Sequence, residues 1–125
     1  MRALVTGPDG LLGSNLVRVL LEAGHEVRAL VYPGSTATSL EGLDIACIDG
    51  DLLDDETDLA AAMADCEAVF HCAAITDLWA DAEIIERVNV EGTRRVLDAC
   101  LAAKVQRLVF VGSASSFAPG SLTTP

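Results

Sequence analysis

The stretch Ala3-Leu4-Val5-Thr6-Gly7-Pro8-Asp9-Gly10-Leu11-Leu12-Gly13 decides the fold. A short apolar strand runs directly into glycines at 7, 10 and 13, where an apolar helix begins. Gly7 allows the tight turn out of the strand. Gly10 lets backbone approach a pyrophosphate with no Cβ in the way, and Gly13 lets the helix pack closely. The unpaired N–H groups and positive dipole end of that helix then face negative charge. The spacing is G-x-x-G-x-x-G, not the commoner G-x-G-x-x-G. Glycines also serve ordinary turns, so the strand before the triplet and the helix after it carry the reading.

Outward from this loop, strand and helix alternate. The pattern predicts strands at about 2–6, 26–32, 44–48, 68–72 and 107–111. It predicts helices at about 11–23, 55–63 (beginning after Asp54) and 81–103. Gly24 is placed as a left-handed cap. Leu12, Leu16, Val19, Leu20 and Ala23 are expected on the buried face of the first helix. Ile85, Val88, Val96, Cys100 and Ala103 are expected on that of the last. Apolar strands flanked by helices mark a parallel sheet covered on both faces. With right-handed crossovers and a phosphate loop after strand one, the fold class is α/β: a Rossmann-type doubly wound parallel sheet, order 3-2-1-4-5.

At 125 residues the chain is one domain at most. No apolar run reaches the ~18–20 residues of a membrane span. With no signal peptide discernible, a cytoplasmic location is expected. Nineteen acidic residues against eight basic give a net charge of −11, which should repel nucleic acid and anionic membrane surfaces. Asp49 to Asp58 holds six carboxylates, read mostly as a solvated loop and helix start. Cys47, Cys66, Cys72 and Cys100 form no C-x-x-C pair. They read as reduced core thiols, Cys47 and Cys72 within buried strands, and no metal site is expected.

In a sheet of this order, ligands sit where the winding reverses, at the C-terminal ends of strands one and four. The residues there are the glycine loop, Asp49-Gly50-Asp51-Leu52, Ala73-Ala74 and Gly112-Ser113-Ala114-Ser115-Ser116. Together with Val69-Phe70-His71-Cys72-Ala73-Ala74, Asn89-Val90-Glu91-Gly92-Thr93 and Arg107-Leu108-Val109-Phe110, they form five motifs in fixed order. The chain thereby resembles the extended short-chain dehydrogenase/reductase family, near the NAD-dependent epimerase/dehydratases and dihydroflavonol-reductase-like enzymes. The resemblance covers essentially all 125 residues.

The resemblance implies roles at the matching positions. Thr6, Gly7, Gly10, Leu11, Leu12 and Gly13 would cradle the dinucleotide. Asp51 would accept from the adenine amino group, and the Leu52 backbone would help hold the ring. Ala73 and Ala74 would line ribose and diphosphate. Asn89, costly within a helix, would support the active-site edge of strand four. Ser113 would be the catalytic serine bonding the substrate oxygen, with Ser115 and Ser116 as neighbours that could be mistaken for it. The implied cofactor is NAD or NADP. An acid ending strand two would favour NAD, and an arginine NADP. Here Tyr32 stands there, able to stack on adenine but uncharged, while Asp9 adds negative charge beside the ribose. The balance leans to NAD.

The chain also departs from the family pattern. A Tyr-x-x-x-Lys pair is expected downstream of the serine, yet the only tyrosine is Tyr32 and the only lysine Lys104. The sequence therefore reads as the N-terminal cofactor-binding portion of a longer oxidoreductase or epimerase acting on a small-molecule substrate, a nucleotide sugar or small ketone. Alone, it is expected to be inactive. It is also expected to associate, as a homodimer or more widely, through an unpaired edge of strand five. The rival reading is a non-catalytic NAD(P)-sensing regulatory protein of the same fold. A flavodoxin-like domain would leave Gly50-Asp51-Leu52 and Ser113 without purpose.

Overall fold

The computed structural model describes residues 1–77 and 79–114. Ser115, Ser116 and the residues after them lie outside the described residues. Five parallel strands, β1 (Arg2–Thr6), β2 (Glu26–Val31), β3 (Ala46–Asp49), β4 (Ala68–His71) and β5 (Arg107–Phe110), form one sheet of order β3-β2-β1-β4-β5. The expected reversal between β1 and β4 is present. Helix α1 (Leu11–Glu22) follows β1, and a 3₁₀ turn (Thr38–Leu40) follows β2. Helix α2 (Leu59–Ala62) follows β3. After β4, α3 (Ala82–Glu86) runs without a break through a π-helical segment (Arg87–Gly92) into α4 (Thr93–Ala102).

The period of two along β1 divides the core. Ala3 and Val5 face Val17 and Leu20 of α1, joined by Val27, Ala29 and Val31. Leu4 faces the other way, onto Leu30, Leu59, Met63, Val69, Val96 and Cys100. Helices thus cover both faces at the centre of the sheet. The edges differ. In β3, Ala46, Cys47 and Asp49 are exposed, and Cys47 is not a core thiol as the sequence suggested. In β5, Arg107, Val109 and Phe110 are exposed. An edge strand has one sheet neighbour and reaches past the flanking helices, so its apolar run does not guarantee burial. Cys72 is half-buried, while Cys66 and Cys100 are buried as expected.

Two helices depart from their sequence reading. The buried residues of α1 are Gly13, Ser14, Val17 and Leu20, with Leu12 54% and Val19 59% exposed. Ala23 is exposed as well. The close approach that Gly13 demands turns the helix about its axis, so hydrophobicity alone misplaced the face. Helix α2 starts at Leu59, not after Asp54, because Asp58 wins the cap: its carboxylate accepts the Ala61 N–H at 2.8 Å. Asp54 accepts the Glu56 N–H in a turn instead. The last helix buries Gly92, Val96 and Cys100 and half-buries Ile85, Val88 and Ala103, as its spacing predicted. Gly24 has φ +77 and caps α1.

Candidate functional site

A cleft of about 460 Å³ opens at the C-terminal ends of the strands, over the reversal between β1 and β4. It is lined by the glycine loop (Thr6, Gly7, Asp9, Gly10), by Tyr32 after β2, by Asp51 and Leu52 after β3, and by Ala73 and Ala74 after β4. These elements are far apart in sequence, and parallel pairing brings their ends together. Backbone bonds carry the pairing into the cleft: Gly50 N–H donates to Val31 O, and Cys72 N–H donates to Thr6 O.

The three glycines have different tasks. Gly7 has φ +62, and a Cβ there would lie 2.8 Å from the Ala73 backbone. It therefore serves both the turn and the contact between glycine loop and β4. Gly13 is buried beneath the loop, where a Cβ would fall 2.0 Å from Gly7 O. Its close approach is to the loop's own backbone. Gly10 is exposed, and a Cβ on it would meet only Gly7 O, at 3.5 Å. Packing among the described residues leaves room for a side chain at 10, and Gly10 lines the cleft. No side chain caps α1, and its first turn carries no acid. Leu11 and Leu12 there have exposed side chains and, like Gly13, are not among the residues lining the cleft.

On the β3 side, Asp51 is half-buried. The Leu53 N–H donates to its Oδ1 at 2.9 Å, and its own N–H donates to Thr57 Oγ1. One oxygen is thus anchored, and a carboxylate retains acceptor capacity beyond one bond. Leu52 is buried and packs on Gly92, where a Cβ would lie 3.3 Å from Leu52 Cβ. Gly92 therefore admits the loop after β3. Tyr32 stands at the rim, 62% exposed.

The β4 side is held by a polar chain that sequence reading missed. Ala73 N–H donates to Thr6 Oγ1, which lies 2.7 Å from His71 Nδ1. His71 Nε2 lies 3.0 Å from Thr93 Oγ1, and the Thr93 hydroxyl donates to Asn89 O. The Thr93 proton is thereby committed, so Nε2–H of His71 donates to it. Nδ1 then accepts from the Thr6 hydroxyl. The imidazole is neutral, and burial pushes its pKa below the usual histidine range. Asn89 completes the chain in the π-helical segment. Its Oδ1 accepts Ile75 N–H at 2.8 Å, and its Nδ2 donates to Ile75 O at 2.9 Å. Thr6 lines the cleft, but its hydroxyl is turned inward to this network. One signal was available: Thr6 and His71 are register partners on adjacent strands.

Ser113 follows β5, exposed and apart from the residues lining the cleft. Burial raises the Cys72 thiol pKa, which disfavours thiolate chemistry although Cys72 lines the cleft. Among the described residues, no group of three or more His, Cys, Asp or Glu could hold a metal ion. No helix of these residues is long and apolar enough to cross a membrane.

Comparison with known proteins places this geometry. The NAD dependent epimerase/dehydratase family matches residues 3–125. A 3-beta-hydroxysteroid dehydrogenase of Mycolicibacterium neoaurum is 41% identical over 121 residues, 91% of this chain and 32% of that protein. A 4-hydroxy-2-methyl-3-oxo-4-farnesyl-3,4-dihydroquinoline-1-oxide ketoreductase of Stigmatella aurantiaca is 41% identical over 120 residues, 96% of this chain and 36% of that protein. Among solved structures, a UDP-glucose-4-epimerase of Stenotrophomonas maltophila, with bound NAD and formylated UDP-arabinopyranose, superposes with a TM-score of 0.80. It is 30% identical, with 92% of this chain and 38% of that one covered. The chain spans about a third of the length of the relatives it matches.

Proposed function

Since this chain belongs to the NAD-dependent epimerase/dehydratase family, we propose that its cleft holds NAD or NADP, whose nicotinamide exchanges hydride with an alcohol or ketone carbon of a nucleotide sugar or small ketone in the whole protein. The observation that carries this is Gly10. Packing leaves room for a side chain there, yet the position is bare where the N-cap of α1, which no side chain caps, lines the cleft. The backbone N–H groups there would bind the pyrophosphate. Asp51 would accept from the adenine amine beside Leu52, and Ala73 and Ala74 would leave room for ribose and diphosphate.

Asn89 acts as a positioning residue, since its two bonds to Ile75 fix the loop that leaves β4 for the cleft. Ser113 is the proposed catalytic hydroxyl, donating to the substrate oxygen. In the full-length protein, Ser113→Ala should lower kcat by ~10²–10³ and leave the dinucleotide Kd nearly unchanged. Steady-state kinetics beside calorimetric titration reads both. Normal turnover in that variant, or loss of dinucleotide binding, would contradict the assignment.

A second reading is a dinucleotide-sensing protein of the same fold without catalysis. It predicts NAD(P) binding by the full-length protein with no hydride transfer to any ketone or nucleotide sugar.

A further inference from the structure

We infer that Asp9, within the glycine loop, sets the choice of dinucleotide: its carboxylate accepts the 2′-hydroxyl of the adenosine ribose and repels a 2′-phosphate, so the site takes NAD over NADP. The inference rests on the dinucleotide reading above and adds the residue that decides between its two forms.

The position follows from the two ends of the cleft. On the β3 side the cleft is lined by Leu30, Gly50, Asp51, Leu52 and Leu53, apolar but for one carboxylate that could accept from a ring amine. The anion-binding end is Gly10 at the start of α1. Asp9 and Tyr32 line the same cleft, and the bond from Ser35, whose N–H donates to Tyr32 O, puts the Asp9 carboxylate beside the turn that ends β2. The end of β2 is where an acid or a cation would ordinarily make this choice. It carries neutral Tyr32. The charge comes from the glycine loop instead.

Asp9 is held in place. The Ser35 hydroxyl donates to its Oδ2, and Ser35 Oγ in turn accepts the Ala37 N–H at 3.2 Å. The Ser39 hydroxyl donates to the Asp9 carbonyl. The loop after β2 is thereby fastened to the glycine loop through Asp9. Ser35 occupies one of the carboxylate's roughly four acceptor positions, leaving capacity for a ribose hydroxyl.

Among the described residues, no cation lines the cleft to welcome a phosphate. The residues lining the cleft include Asp9 and Asp51 and neither Lys nor Arg. Arg18 is close in sequence, but its Nη1 donates to Ser14 O at 2.9 Å and its Nη2 to Ser39 O at 2.6 Å. Its guanidinium fastens the same loop from α1. A dianionic 2′-phosphate would meet a fixed carboxylate at short range, where repulsion is only partly screened.

The test is calorimetric titration of the full-length protein with NAD and with NADP, in three forms. The native protein should bind NAD about tenfold or more tightly than NADP. Asp9→Asn keeps an acceptor for Ser35 and removes the charge, so the ratio should fall to near unity, chiefly through tighter NADP. Ser35→Ala releases the fastening and keeps the charge, so most of the preference should remain. Raising the salt should shrink the native preference. An unchanged ratio in Asp9→Asn, or an equal collapse in Ser35→Ala, would overturn the inference and leave the dinucleotide reading standing. A native protein that binds neither dinucleotide would overturn both.

Discussion

The cleft is bounded on one side by the glycine loop and on the other by the β4 end, and the two are positioned by different physics. The glycine loop is fixed by contact. Gly7 and Gly13 sit where any Cβ would overlap backbone, at 2.8 and 2.0 Å. The β4 end is fixed by hydrogen bonds running from Ala73 through Thr6, His71 and Thr93 to Asn89 and back to Ile75. The first is a constraint of shape that only glycine satisfies. The second is a constraint of donor order, in which each proton has one direction to go. Shape tolerates no added atom. Donor order tolerates a different side chain if it presents the same donor and acceptor.

The largest expected effect tests the contact side. Gly13→Ala should destabilise the full-length protein by about 3 kcal/mol or more, because its Cβ must displace the Gly7 carbonyl. Gly10→Ala should cost far less, with φ −72 and an ordinary 3.5 Å contact. Urea unfolding of the pair reads the difference. Equal midpoints would show that the loop yields and that contact does not fix it.

The polar side gives a middle-sized effect. His71→Leu should cost ~1–3 kcal/mol, chiefly because the Thr6 hydroxyl loses the acceptor of its proton, while the Thr93 hydroxyl still donates to Asn89 O. His71→Gln offers an acceptor and a donor and should recover part of that. The two also differ from the native protein in pH dependence. Burial depresses the folded-state pKa of His71, so the unfolded chain takes up the proton first as pH falls. Its contribution to stability is full above roughly pH 6.5 and declines below that, by at most about 1.4 kcal/mol per pH unit. The stability gap between native protein and His71→Gln should therefore be constant above neutrality and narrow in acid. A gap independent of pH would mean that the imidazole is not held neutral.

The smallest effect is at the rim. Tyr32→Arg should improve NADP binding relative to NAD by a few-fold, ~0.2–1 kcal/mol, because an arginine there would be as exposed as Tyr32 is now. A larger swing would mean that the end of β2, not Asp9, governs the choice.

The same contrast explains what could be read from the sequence. Contact leaves a trace in residue type: three glycines at fixed spacing after a strand located the loop, the sheet reversal and the cleft. Asn89 could be singled out because an asparagine within a helix is costly. The donor chain leaves little trace, since a threonine and a histidine in apolar strands look like imperfect core residues until register pairs Thr6 with His71. Local hydrophobicity also misjudged exposure. Leu12 and Val19 look like core and face solvent, because Gly13 and Ser14 take the buried side of α1. Cys47 lies in an apolar run and is exposed, because β3 ends the sheet. Two aspartates could each have capped α2, and only the folded geometry chose Asp58 over Asp54.

The central claim is that the bare cleft at Gly10 is a pyrophosphate cradle, and Gly10→Val tests it most directly. The substitution is compatible with the backbone at 10, and only Gly7 O lies within 4 Å of its Cβ. The account predicts that the full-length variant keeps the native melting temperature and loses calorimetric binding of both NAD and NADP. A variant that melts normally and binds either dinucleotide with native affinity would contradict it.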